Sequence, residues 1–274
     1  NKLLTQNFDE VVSLCKKCED TKVIVLYIEG LEHPQKLMNV ARQVVKRKPI
    51  VVYKAARGEK ADQVSLSHTG ALAGRYEFYR AAFAQAGMIT VNNMTELVDM
   101  TKALSLQPPS LGNRVAVIAP AAGRGIIMSD KCYEFGLRLA KFSPTTEQRL
   151  KQLGTSINVA IDNPVDLGGR AGEFDASCEM ISVVLEDNGV DAMSVGTIHT
   201  PGSMQLIKAV VAVSKNYKKP VTVGLGCPTR QSYAELDALD DNYVPAYPLP
   251  DRAITGLAAL VRYGEILRRL ADSA

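Results

Sequence analysis

Three histidines, His33, His68 and His199, occur in this chain of 274 residues. His68 stands in a run of small residues, QVSLSHTGALAG (63–74), between an apolar strand-like segment and a helical pattern. A neutral imidazole there can attack a phosphoryl group and pass it onward from the resulting phosphoramidate. The product is an anion and calls for two accessories. One is a helix N-terminus, whose unpaired backbone N–H groups and positive dipole end receive phosphate; Thr69 and Gly70 open such a helix. The other is a carboxylate on the second ring nitrogen, which fixes the tautomer. Glu29 ends the strand-like LYIEG and is placed for that task. A glutamate in an otherwise apolar strand is costly if buried unpaired. A histidine partner satisfies it, as does solvent at the strand end. Packing of a tight turn by His68, and close helix–sheet packing by GALAG, are the plainer readings.

A second turn of small residues, APAAGRG (119–125), also leads into a helix. It is a second candidate phosphate seat, through Ala122, Gly123, Arg124 and Gly125. Neither turn matches the GxxxxGK[ST] phosphate loop, and GRGIIM is at most a broken GxGxxG. No GxSxG, HExxH or zinc-finger spacing occurs, so no metal ligands are expected. His33 lies in a polar LEHPQK turn. His199, at a strand end in GTIHTPGS, suits a ligand contact or core packing. NPVDLGG (163–169) reads as a loop that shapes the site edge or simply turns the chain. Cys15 and Cys18 form a CxxC inside a helical pattern, with neither a second pair for zinc nor a preceding strand for redox work. Lys46, Arg47 and Lys48 read as a solvated helix end.

The elements that must position these residues alternate along the chain. Strands are expected at 22–30, 49–56 and 88–93, with helices near 34–47, 70–86 and 94–105, which is a parallel sheet covered by helices. SLQPPSLGN (105–113) interrupts the pattern and marks a boundary. Strands then follow at 114–120, 137–142, 191–199, 219–226 and 242–248. Helices follow at 124–136, 143–154, 175–187, 203–217, 229–240 and 251–271. The last of the early helices in this half carries Ser143 as N-cap and Pro144 at its first position. Two doubly wound parallel-sheet domains result, 1–108 and 109–274. Ligands of such sheets bind beyond the carboxyl ends of the strands, where both small-residue turns lie.

Composition narrows the function classes. A formal net charge of +3 does not describe a nucleic-acid binder. No apolar run approaches the roughly 18 residues that span a membrane, and no signal peptide is read. An odd count of five cysteines without framework spacing fits a reducing, cytoplasmic setting.

TKVIVLYIEGL, KPIVVYKAARGEKADQVSLSHTGALAG, GNRVAVIAPAAGRG and NPVDLGG, in that order, resemble the NDP-forming acyl-CoA synthetases, relatives of succinyl-CoA synthetase. The resemblance runs over nearly the whole chain, and SHTGALAG is its most specific part. It implies two flavodoxin-like ligase domains and a reversible reaction, acid + CoA + ATP = acyl-CoA + ADP + phosphate, through an acyl phosphate and a phosphohistidine. It maps the phosphorylated histidine to His68 and the glutamate that steadies it to Glu29. The two helices whose N-termini face the phosphate map to those starting near Thr69–Gly70 and Gly123–Arg124. CoA and ATP or ADP, with Mg2+, are the implied co-substrates, and a small carboxylic acid the implied acyl donor. The family's CoA-binding Rossmann-like domain and its ATP-grasp domain have no counterpart in these residues. The resemblance therefore implies a fragment of a longer polypeptide or a subunit with partners, assembled as an oligomer. Many relatives carry a nearly all-glycine second turn, often with proline, where this chain has Ala121-Ala122-Gly123-Arg124-Gly125. A regulatory, non-catalytic module of a larger protein, such as an acetyltransferase fusion, is the alternative. A plain scaffold in which His68 packs a turn is the third reading.

Overall fold

The computed structural model describes residues 8–58, 76–154, 161–198, 203–226, 229 and 232–272. The chain divides into two compact units, Asn1–Thr101 with Ile266–Ala274, and Lys102–Glu265. In each, parallel strands are flanked by helices, the flavodoxin-like α/β arrangement.

The first unit runs α1 (Phe8–Lys17), β1 (Ile24–Ile28), α2 (Pro34–Val44), β2 (Ile50–Lys54), α3 (Tyr76–Gln85), β3 (Ile89–Thr90) and the start of α4 (Met94–Leu106). Its described sheet has the order β1-β2-β3. β1 pairs with β2 from Ile24 opposite Ile50 to Ile28 opposite Lys54. Helix α2 starts with Pro34 in its first turn and buries Leu37, Met38, Ala41 and Val44, a spacing that keeps one face on the sheet. These residues join Ile24, Leu26, Ile28, Ile50, Val52 and Phe83 in one core. Val25 and Tyr27 alternate with them and stay exposed.

The second unit continues with β4 (Arg114–Ala119), α5 (Ala122–Glu134), β5 (Arg138–Leu139), α6 (Pro144–Leu153), β6 (Val165–Asp166), a 3-10 turn (Gly168–Gly172), α7 (Phe174–Glu186), β7 (Ala192–Ile198), α8 (Ser203–Ser214), β8 (Val221–Gly226), α9 (Ser232–Asp240), β9 (Ala246–Tyr247) and α10 (Pro250–Asp272). The sheet order is β5-β4-β7-β8-β9, with β6 also pairing β4. β7 and β8 are continuous apolar or small-residue runs, as strands covered on both faces must be. The strand order reverses at β4. After β4 the chain adds β5 and β6 on one side, and β7, β8 and β9 on the other. The carboxyl ends of β4 and β7 are therefore the switch point at which ligands of open α/β sheets bind, and α5 begins there.

The structure redraws several elements. NPVDLGG is more than a loop: Val165 and Asp166 pair in parallel with Ile118 and Ala119. Asn163 makes this turn possible. Its Oδ1 accepts from Val117 N at 2.9 Å, and its Nδ2 donates to Val115 O at 2.8 Å and to Ala140 O at 3.0 Å. The short side chain thus completes β4 where β5 has left it and β6 has not yet joined. The strands expected at 137–142 and 242–248 contract to two residues each. Ser143 caps α6 as read, accepting from Thr146 N.

The composition break at 105–113 set an expected boundary at 108/109, whereas the compact units part between Thr101 and Lys102, inside α4. The second half of α4 is tied to the second unit by its side chains. Lys102 donates to Ala246 O at 2.6 Å and pairs with Asp240, and Gln107 bonds Tyr243 O and Val221 N. The end of α10 belongs with the first unit for the same kind of reason. Leu270 packs on its core and Arg269 donates to Ala84 O.

Candidate functional site

The C-terminal edge of the first sheet carries Glu29. It is the first residue after β1, half-buried, next to the exit of β2. His68, Thr69 and Gly70 lie outside the described residues, as does His199. Residues 54–57, which lead toward that segment, are bound tightly to the sheet edge. Lys54 closes β2 and is fully buried. Its Nζ donates to Glu29 O at 2.7 Å and to Ala55 O, and lies 4.9 Å from the centre of the Tyr79 ring. Arg57 donates to Lys54 O at 2.8 Å, Val91 O at 2.7 Å and Asn92 O at 3.0 Å. Its guanidinium stacks on the Tyr53 and Tyr76 rings. Ala56 between them adopts φ 55°, the left-handed region that favours glycine. Two cations thus tie the exits of β1, β2 and β3 together. Sequence reasoning overlooked both. The available signal was a lysine and an arginine at the end of an apolar strand, PIVVYKAAR.

In the second unit α5 begins at Ala122, two residues before its expected start. Ala122, Gly123, Arg124 and Gly125 therefore form its first turn. Ala121 precedes it in an extended conformation and gives no side-chain cap. The opening N–H groups of a helix have no intrahelical acceptor and carry its positive dipole end. The four residues play different parts. Ala122 and Gly123 are exposed, and a β-carbon on Gly123 would meet nothing within 4 Å. Gly125 is buried beneath Pro164, whose Cβ lies 2.8 Å from where a β-carbon would stand, so its small size serves packing. Arg124 runs back across the sheet edge. Its Cβ lies against Gly196 of β7, and its guanidinium lies on Gly226, the last residue of β8. Arg124 Nε is buried without a hydrogen-bond partner, and among the described residues Arg124 forms no ion pair. A helix start and an unpaired guanidinium at a sheet switch point can receive a phosphate or a carboxylate. Gly196 and Gly226 were also overlooked in the sequence, where they read as ordinary strand glycines.

The remaining candidates are structural. His33 is exposed before α2 and makes no capping bond. Cys15 sits in the last turn of α1 and Cys18 just beyond it, and both are free thiols. Lys48, expected as part of a solvated basic run, turns onto that helix end and donates to Cys15 O at 2.8 Å and to Cys18 O. A cation there complements the negative end of the helix. Among the described residues no cluster of three or more His, Cys, Asp or Glu could hold a metal ion. No described helix is long and apolar enough to cross a membrane.

Fold and edge chemistry together define a ligase-type pair of flavodoxin-like domains. A succinyl-CoA ligase-like flavodoxin domain matches residues 4–104 and a Ligase-CoA domain matches residues 115–269. The chain belongs to this Ligase-CoA family. It is 36% identical over 270 residues to the ADP-forming acetate–CoA ligase I of Archaeoglobus fulgidus, covering 97% of this chain and 37% of that protein. It is 30% identical to the alpha subunit of the ADP-forming acetate–CoA ligase II of Pyrococcus furiosus, covering 93% of this chain and 56% of the subunit. The dinucleotide-forming acetyl-coenzyme A synthetase 1 of Ca. Korarchaeum cryptofilum, solved with phosphate and ADP, superimposes with a TM-score of 0.87 at 29% identity, over 97% of this chain and 58% of that one. The chain thus spans only part of the length of each of these relatives.

Proposed function

We propose that this chain is the phosphohistidine-bearing part of an NDP-forming acyl-CoA synthetase. The observation that carries the reading is the position of Glu29. It leaves β1 at the carboxyl edge of the sheet, beside the exit of β2, whose continuation in the sequence holds His68. In the direction of nucleotide synthesis, a ring nitrogen of His68 attacks the phosphorus of an acyl phosphate. The P–N bond forms, the P–O bond to the acyl group breaks, and the carboxylate leaves with that electron pair. Glu29 accepts the hydrogen bond of the other ring nitrogen and steadies the charged ring. A terminal oxygen of ADP then takes the phosphoryl group, the P–N bond breaks, and the imidazole returns to its neutral form. The reverse sequence makes the acyl phosphate at the expense of ATP; the CoA thiolate then attacks its carbonyl carbon, the C–S bond forms, the C–O bond to phosphate breaks, and phosphate leaves with that electron pair.

Thr69 and Gly70, together with Ala122, Gly123, Arg124 and Gly125 at the head of α5, are the phosphate-binding residues in this reading. CoA and the nucleotide, with its Mg2+, occupy a CoA-binding Rossmann-like domain and an ATP-grasp domain supplied by the rest of the protein or by a partner subunit. The substrate is a small carboxylic acid, the assembly an oligomer and the compartment the cytoplasm. The names of two relatives described above, both ADP-forming acetate–CoA ligases, support this reading. The test is a mass spectrum of the complete enzyme after incubation with Mg-ATP. One acid-labile, base-stable phosphoryl group on the peptide spanning residues 64–75, discharged by ADP, is the expected result. An unmodified peptide in enzyme that binds ATP would refute the relay and leave the regulatory module as the better account.

A further inference from the structure

We infer that Lys54 is a positioning residue for Glu29, an inference that rests on the phosphohistidine reading. The ladder between β1 and β2 ends with Ala55 N donating to Ile28 O at 2.9 Å. Glu29 follows Ile28, the last residue of β1 paired with β2. Lys54 takes over at this point. Its side chain starts opposite Ile28 in the register, on the buried side of the sheet, and its ammonium returns to the edge to grip Glu29 O at 2.7 Å. Holding that carbonyl anchors the main chain of Glu29 at the point from which its side chain departs.

The chemistry of the site makes this more than packing. Lys54 is fully buried, and its ammonium reaches the carbonyls of Glu29 and Ala55 and lies 4.9 Å from the centre of the Tyr79 ring. The ammonium earns its place by what it holds, which is the main chain of the residue that must orient the histidine. Arg57 completes the brace by binding the carbonyls of Lys54, Val91 and Asn92, so that β2 and β3 end on the same fixed frame. A carboxylate that must meet an imidazole within a few tenths of an ångström needs such support.

The test is a double-mutant cycle on the complete enzyme, read as the initial rate of phosphohistidine formation from [γ-32P]ATP and Mg2+. Lys54→Met is expected to slow labelling about tenfold, and Glu29→Gln about a hundredfold. The double variant is expected to be no slower than Glu29→Gln alone, because Lys54 acts through Glu29. Lys54→Met that labels at the parental rate would overturn the inference. So would factors that multiply in the double variant, since the lysine would then act independently. Thermal melting accompanies each variant, and Lys54→Arg, which keeps the charge but moves its donors, replaces Lys54→Met in the cycle if the latter does not fold. His68→Ala is the separate control. Label that survives it refutes the relay itself, whereas label that it abolishes leaves the cycle to decide on Lys54.

Discussion

Gly226→Ala is the sharpest probe of the second unit. A β-carbon there would stand 2.6 Å from Nη2 and 2.9 Å from Cζ of Arg124, far inside van der Waals contact. One partner must move, and the guanidinium is the far end of a flexible side chain while Gly226 sits within the β7–β8 ladder. Arg124 therefore gives way. Re-seating it costs about 0.5–1.5 kcal/mol in rotamer energy, so the melting temperature should change little. The consequence for phosphate is larger. A hydrogen bond from a charged donor contributes about 1.5–3 kcal/mol, and each 1.4 kcal/mol is about a factor of ten. Loss of one such contact raises the KM for phosphate by roughly 10- to 150-fold in the direction acyl-CoA + ADP + phosphate. Steady-state kinetics at varied phosphate, with CoA release as the readout, measure it. Arg124→Ala should produce the same rise, and the double variant no further one. An unchanged KM for phosphate in both single variants would refute the assignment of Arg124. A fall in melting temperature as large as that of a core truncation would refute the argument that only the side chain moves.

Two further outcomes follow from local physics. Ala56→Gly removes the β-carbon from a residue at φ 55°. It should stabilise the chain by about 0.5–1 kcal/mol once glycine's own entropy is counted, read as a higher midpoint in urea; a lower midpoint would show that no strain is stored there. Asp191 accepts from Arg114 Nε at 2.8 Å and Nη2 at 2.7 Å, and these bonds, with the backbone bond from Arg114 N, hold its carboxyl below the usual carboxylate range despite partial burial. A lowered folded-state pKa means that the stabilisation is complete above the unfolded value of about 3.9 and is lost as pH falls through the lower folded value. Asp191→Asn should therefore cost about 1 kcal/mol at neutral pH, discounted because Arg114 is half-exposed. The gap to the parent should close in acid, which urea titrations at pH 7 and pH 3 will measure.

Much of this arrangement was legible in the sequence because it rests on periodicity and punctuation. The apolar runs KVIVLYI, RVAVIA, AMSVGTI and VTVGLG are strands, and Ser143-Pro144 opens a helix, because burial and capping are local requirements. The parts that escaped depend on contacts between distant residues. Nothing local in NPVDLG announces that Asn163 will bond Val115, Val117 and Ala140 and so admit a sixth strand. Nor does the sequence announce that Lys102 and Gln107, within one continuous helix, find their partners in the second unit. Glu29 was singled out because a charge at the end of an apolar strand is conspicuous. Lys54 is equally conspicuous by that rule and was passed over, since a lysine at a strand end ordinarily reaches water rather than folding back into the core.

The second turn shows why counting glycines misjudges such a site. An all-glycine turn suggests that every small residue is there to let an anion approach, and two alanines then look like obstacles. The geometry separates the roles. Gly125 is small because Pro164 lies over it, Gly196 because Met128 and Ala119 crowd it, and Gly226 because Arg124 lies over it, while a β-carbon on Gly123 would meet open space. Ala122 and Gly123 are both exposed at the helix start. The alanines therefore do not argue for a degenerate site. What distinguishes this turn is a charge: the Arg124 guanidinium is seated on Gly226 and has no ion-pair partner among the described residues. A chain that had lost its need for phosphate would gain by replacing such an arginine, whose buried Nε stands unsatisfied. Its presence at the switch point of the second sheet favours the catalytic reading over the regulatory one.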